Sequence, residues 1–165
     1  MQLRKLELRD APLMLEWMHD DSVVHHLGTN FATKTLEDCQ RFIQASQESE
    51  TDLHLALTDD NHEYMGTVSL KHIDKTNGWA EFAVTIRACA MGKGYSRWGM
   101  SQILELGLKE LGLNAIYWCV SPKNQRAVRF YDKNGYRRIS QVPASLQAGY
   151  EGMELYWYIY DGELA

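Results

Sequence analysis

The sequence predicts an α/β fold of the α+β type: a mixed, mostly antiparallel sheet of six to seven strands, with helices on both faces and a parallel strand pair at its centre. Three observations carry this. DLHLALT (52–58) and YMGTVSLKHI (64–73) both alternate apolar and polar residues around the turn DDNHE, which is the pattern of a hairpin. The period then changes. From Tyr95 onward Met100, Ile103, Leu104, Gly107, Leu108 and Leu111 share one helical face. That helix separates the strand-like segments WAEFAVTIR (79–87) and NAIYWCV (114–120), so a right-handed crossover makes those two strands parallel neighbours.

The other elements follow in order. LRKLELR (3–9) alternates as a half-buried strand does, and Asp10 followed by Pro12 reads as an N-cap and the first turn of a helix. That helix carries Leu13, Leu15, Trp17 and Met18 and stops in the polar HDD of 19–21. Thr35 with Asp38 resembles a capping box, and TLEDCQRFIQASQE (35–48) places Leu36, Cys39, Phe42 and Ile43 at helical spacing. NAIYWCV is almost wholly apolar, as a central strand is. NQRAVRFYDKNGY (124–136) is a helix closed by Asn134-Gly135. YRRIS (136–140) and MELYWYIY (153–160) are the final strands, the latter either an edge able to pair in a dimer or an internal strand.

Composition narrows the function. A chain of 165 residues with 45% apolar content builds one ordinary domain, 1–165, without staples. Cys39, Cys89 and Cys119 form no CxxC pair and read as reduced thiols. A net charge of −5 argues against a nucleic-acid partner and suits a cationic one. No apolar run approaches the roughly 20 residues that span a bilayer. MQLRKLELRD lacks the apolar core of a signal peptide, so a cytoplasmic protein is expected. The six histidines are scattered without metal-ligand spacing, and no metal is expected.

The segment MGKGYSRWGM (91–100) holds the main clue. It is not a P-loop, because Gly92-Lys93 is followed by Gly94 and no glycine lies five residues upstream. It is not a dinucleotide fingerprint either: Arg97 occupies the third glycine position, and a hairpin precedes it. The local physics remains. A strand ends near Arg87, and a helix begins near Tyr95. The N–H groups of residues 92–97 have no helical acceptor. Glycine lets an anion approach the backbone, the helix dipole favours it, and Lys93 and Arg97 add charge. A pyrophosphate is the natural guest.

Thirty residues on comes SPKNQRAVRFYDKNGYRR (121–138). The pairing of G-K-G-Y-S after one strand with N-x-x-A-x-x-F-Y-x-x-x-G-Y after the next resembles the GNAT superfamily of acetyl-CoA-dependent N-acetyltransferases. Together with the opening KLELRDAPLMLEWMHD, the resemblance is to the RimJ/RimL-like branch, and it spans the whole chain. It implies that Met91, Gly92, Lys93, Gly94, Tyr95, Ser96 and Arg97 cradle the pyrophosphate of coenzyme A. Gly94 matches the family's middle glycine, Met91 replaces its usual Gln or Arg, and Ser96 replaces its final small residue. It also implies that the central parallel strands splay. The pantetheine arm would enter there and bond the backbone of Phe82, Ala83, Val84 and Ile86, with Asn124 touching the arm from the next helix.

Acetyl transfer to an amine of pKa about 10 requires a proton to be removed, at a cost of roughly 4 kcal/mol at pH 7. Glu81, the one acid in an otherwise apolar strand, is the expected base, directly or through water. Tyr131 matches the family tyrosine whose hydroxyl reaches the CoA sulfur, and is the expected acid. A backbone N–H within 82–84 would face the oxyanion. Arg126 and Arg129 read either as neighbours of the adenosine phosphates or, better, as solvated helix charges. Trp17, His25, His26, Phe31, Tyr150 and Glu151 are candidates to line the acceptor site, with the two histidines better read as surface residues. The expected acceptor is a small-molecule or peptide amine, and the protein a monomer or homodimer. The competing expectation is a non-catalytic acyl-CoA-binding module.

Overall fold

The computed structural model describes all residues, Met1–Ala165. Seven strands form one sheet: β1 (Gln2–Lys5), β2 (Leu53–Thr58), β3 (Tyr64–Asp74), β4 (Trp79–Ile86), β5 (Ala115–Val120), β6 (Arg137–Ile139) and β7 (Tyr156–Tyr160). Their spatial order is β1-β2-β3-β4-β5-β7-β6. Only β4 and β5 run parallel, joined by α4 (Tyr95–Lys109) as the crossover. The other helices are α1 (Ala11–Met18), α2 (Asp21–Val24), α3 (Leu36–Glu48), α5 (Gln125–Lys133) and α6 (Ala144–Ala148). The mixed sheet, its central parallel pair and the central place of the 114–120 strand all match the sequence reading.

Strand alternation sorts the side chains into two faces. On one, Val68, Leu70, Ala80, Phe82, Ile116 and Trp118 pack under α4 and α5, with Met100, Ile103, Leu104 and Tyr131 from the helices. On the other, Ala56 and Tyr64 lie under α1 and α3 with Met14, Trp17, Cys39 and Ile43. A smaller cluster of Trp79, Leu146 and Trp157 covers that second face near the C-terminus.

Several boundaries differ from the sequence reading. The first strand stops at Lys5, because Asp10 pulls the chain back instead of capping α1 with its side chain. Its carboxylate, 2% exposed, takes two 2.8 Å bonds from the Arg4 guanidinium and another of 2.8 Å from the Glu7 N–H. The capping box at Thr35 and Asp38 is present as read, with both reciprocal bonds made. The short helices α2 and α6 carry no long apolar period and were not foreseen. β7 begins at Tyr156 and lies between β5 and β6, so MELYWYIY is internal and its edge-pairing alternative falls away.

Gly66 marks the tightest approach in the sheet. A Cβ built there would meet the Thr85 carbonyl oxygen at 2.5 Å and the Ile86 Cα at 2.9 Å. Backbone cannot yield as a side-chain tip can. Gly66→Ala should therefore cost about 2–3 kcal/mol, at the upper end of overpacking costs, and lower the urea midpoint at constant m.

Candidate active site

The loop after β4 has the form the sequence implies. A 3₁₀ turn at Ala88–Ala90 leads into Gly92 (φ 75°) and Gly94 (φ 86°), and Gly94 is the N-cap of α4. Both glycines take the left-handed conformation that side chains disfavour. No side chain caps α4, and none of the N–H groups of residues 92–97 donates a backbone hydrogen bond. Nothing lies within 4 Å of a Cβ built on Gly92. The result is a fan of free donors at the positive end of a 15-residue helix, open to an anion. Lys93 and Arg97 are exposed beside it.

Arg126, exposed on α5 as a solvated charge, also reaches this loop: its Nη1 lies 3.2 Å from the Met91 Sδ. The thioether is a weak acceptor, yet the contact brings a guanidinium to the rim of the cradle. Asn124 is the N-cap of α5, and its side-chain oxygen accepts from the Ala127 N–H at 3.2 Å.

The central pair splays. β4 and β5 are in register only at Trp79–Ala115, Ala80–Ile116 and Glu81–Tyr117. Beyond Glu81, β4 stays paired with β3 through Ile86, while β5 turns to pair with β7 through Val120. The β5-facing edge of Phe82–Ile86 is left unpaired in a gap between the strands. Phe82 anchors the gap floor, its ring 5.6 Å from Trp118. Ala83, Val84 and Ile86 are half-buried along it.

Glu81 sits at the last paired position before the gap. Its side chain is 3% exposed, which excludes a solvated edge role. Tyr150 donates its hydroxyl to Oε2. Oε1 has no hydrogen bond, but Lys71 Nζ and His72 Nε2 each stand 3.6 Å from it. The Cys119 thiol lies close by; burial, then the Glu81 charge, push it up to about 12, so it is no nucleophile. Burial and the bond to Glu81 hold the Tyr150 phenol far above its ordinary value, so it remains a donor.

Tyr131 lies on the opposite face. Its ring packs 5.6 Å from Trp118 and 5.1 Å from Tyr158. Burial, reinforced by Tyr158, raises its phenol well above the usual range. Glu81 and Tyr131 therefore approach the sheet from opposite faces.

Of the expected acceptor-lining residues, Tyr150 reaches Glu81, while Glu151 is exposed. Trp17 is buried core, bonding Tyr64 Oη at 3.0 Å, with Phe31 packed edge-on at 5.2 Å. The His25 and His26 rings are exposed and meet edge-on, their centroids 4.5 Å apart. Lys71 and His72 were missed: Lys71 faces Glu81 as its register partner, which only the pairing of β3 with β4 reveals, and nothing in the sequence shows the bulge that turns His72 to the same side.

This architecture, a splayed parallel pair with a helix-terminal anion cradle beside it, is that of an acyl-CoA-utilising transferase. The sequence profile of the acetyltransferase (GNAT) domain matches residues 1–137, and the chain belongs to that family of acetyl-CoA-dependent acyltransferases. Among curated relatives, the uncharacterized N-acetyltransferase p20 of Bacillus licheniformis is 24% identical over 139 residues, covering 82% of this chain and 78% of the relative. The uncharacterized N-acetyltransferase YnaD of Bacillus subtilis is 24% identical over 160 residues, covering 94% and 90%. Among solved structures, the spermidine N-acetyltransferase of Vibrio cholerae in complex with CoA and spermine superposes with a TM-score of 0.81 at 18% identity, covering 96% of this chain and 94% of that one. A GNAT-family acetyltransferase of Bacillus anthracis gives 0.75 at 21% identity, covering 96% and 92%. No helix is long and apolar enough to cross a membrane.

Proposed function

We propose that this enzyme transfers the acetyl group of acetyl-CoA to a primary amine by direct attack in a ternary complex. The carrying observation is the buried Glu81 carboxylate at the mouth of the β4–β5 gap, with Oε1 unbonded. Acetyl-CoA supplies an activated thioester; the chain supplies position and proton transfer. The donors of residues 92–97 hold the pyrophosphate, with Lys93 and Arg97 beside it. The free edge of Phe82–Ile86 holds the arm, and Asn124 faces it from α5. Glu81 then takes the proton from the ammonium, and the resulting amine lies within about 3–3.5 Å of the acyl carbon. The nitrogen bonds the acyl carbon and the C–S bond breaks; Tyr131, as acid, protonates the leaving thiolate and is itself reprotonated by the second N–H proton that the adduct loses, leaving amide and free CoA thiol.

The acceptor is a small amine, an amino sugar or a peptide N-terminus. A polyamine is favoured by the net charge of −5 and by the similarity to a spermidine-acetylating fold. The opening KLELRDAPLMLEWMHD supports placement in the RimJ/RimL-like branch. We read the protein as a cytoplasmic monomer or homodimer.

The test is calorimetric titration with acetyl-CoA, followed by thiol release with a panel of spermidine, spermine, glucosamine and short peptides. Micromolar binding with turnover of one class establishes the reading. Binding without turnover of any amine leaves a non-catalytic acyl-CoA module. Tyr131→Phe should preserve acetyl-CoA affinity and lower kcat about 10-fold or more.

A further inference from the structure

Glu81 needs a way to return its proton to water, since it is buried and each turnover delivers one. We propose that His72 is the positioning residue that carries this proton from Glu81 Oε1 to solvent. The proposal rests on Glu81 being the base.

The backbone is built for this placement. β3 and β4 are in register at Lys71–Glu81 and again at Asp74–Trp79, so two residues of β3 face one of β4 between these pairs. The extra residue makes a bulge, and His72 occupies it with φ 53°. A histidine in the left-handed region is uncommon, and such conformations cluster at functional sites. The conformation is held by the His72 N–H bond to Asp52 Oδ1 at 2.9 Å and by the Ile73 N–H bond to the Thr51 carbonyl at 2.8 Å.

Without the bulge, Lys71 and His72 would point to opposite faces. With it, Lys71 Nζ and His72 Nε2 both come 3.6 Å from Oε1, the oxygen left without a hydrogen bond. The His72 side chain is 63% exposed and Glu81 3%, so the imidazole joins a buried carboxylate to bulk water. A small rotation of the exposed imidazole about its side-chain bonds closes the remaining distance.

The other groups facing Glu81 are less suited. Tyr150 is committed as a donor to Oε2, and the Cys119 thiol is held protonated. A lysine ammonium offers only donors and no lone pair to receive a proton, whereas imidazole both accepts and donates one. The proton balance closes: the ammonium N–H breaks, Oε1 gains the proton, Nε2 takes it, and water or buffer removes it.

His72→Asn tests this, because asparagine tolerates positive φ; His72→Gly is the second variant, free of backbone strain. The assay uses spermidine or whichever panel amine is turned over, between pH 6 and 7.5. Both variants should lose about 5- to 20-fold in kcat, keep KM for both substrates within about twofold, and regain turnover as imidazole is added. Glu81→Gln should not respond to imidazole. An unchanged kcat, or a loss that imidazole does not restore, overturns the relay while leaving Glu81 as base. Wild-type turnover by Glu81→Gln, or no turnover of any amine by the wild type, overturns the base assignment and the relay with it.

Discussion

Glu81→Gln is expected to lower kcat/KM for the amine by about 10²–10⁴-fold while leaving acetyl-CoA affinity unchanged. The size follows from the chemistry, since an amine presented as its ammonium must lose a proton that costs roughly 4 kcal/mol to remove at pH 7. The selectivity follows from position. Glu81 ends the paired part of β4 and faces Lys71, His72 and Tyr150, on the side of the sheet away from α4 and its cradle. Glutamine keeps the shape and accepts the Tyr150 hydrogen bond, but cannot take a proton. Stopped-flow thiol release and calorimetry, run on one preparation, separate the two effects. Equal loss of binding and turnover would instead assign Glu81 a structural role.

Gly94→Glu should abolish detectable acetyl-CoA binding, a loss of more than about 100-fold. Two effects add. At φ 86° any side chain is strained by about 1–2 kcal/mol. The carboxylate also enters the fan of free N–H groups at the start of α4, occupying with its own charge the place proposed for a phosphate. Gly94→Ala separates the two: it should lower stability through the strain alone and weaken binding far less. Comparable binding by wild type and Gly94→Glu would move the pyrophosphate elsewhere.

The parts of this site governed by local rules were legible in the sequence. The cradle could be read because glycines, a strand end and a helix start are local signals, and residues 91–97 do leave their donors free from Gly92 onward. Glu81 stood out as the one acid in WAEFAVTIR, and its burial agrees with that strand being central. What could not be read depends on pairing. The bulge at His72 arises from the register of β3 against β4, and no glycine marks it. The contact of the exposed Arg126 with Met91 could not be read either, because the two lie 35 residues apart and a thioether is a poor acceptor. Asp10 looked like a cap because Asp-x-Pro is a local signal; the Arg4 guanidinium claimed it instead.

The short overlap of β4 with β5 also has a mechanical side. Three residue pairs, backed by α4, bridge a four-stranded leaf, β1 to β4, and a three-stranded leaf, β5, β7 and β6. Backbone bonds that would stitch two long parallel strands are missing along this seam. A molecule that lodges there fastens the leaves together, and mass action returns its affinity as resistance to unfolding, about 2.7 kcal/mol at a hundredfold excess over Kd. Amide exchange should therefore slow along both lips of the seam, at residues 82–86 and 118–120, when it is filled. The gap proposed to admit a reactant is thus also the line along which the empty protein most easily yields.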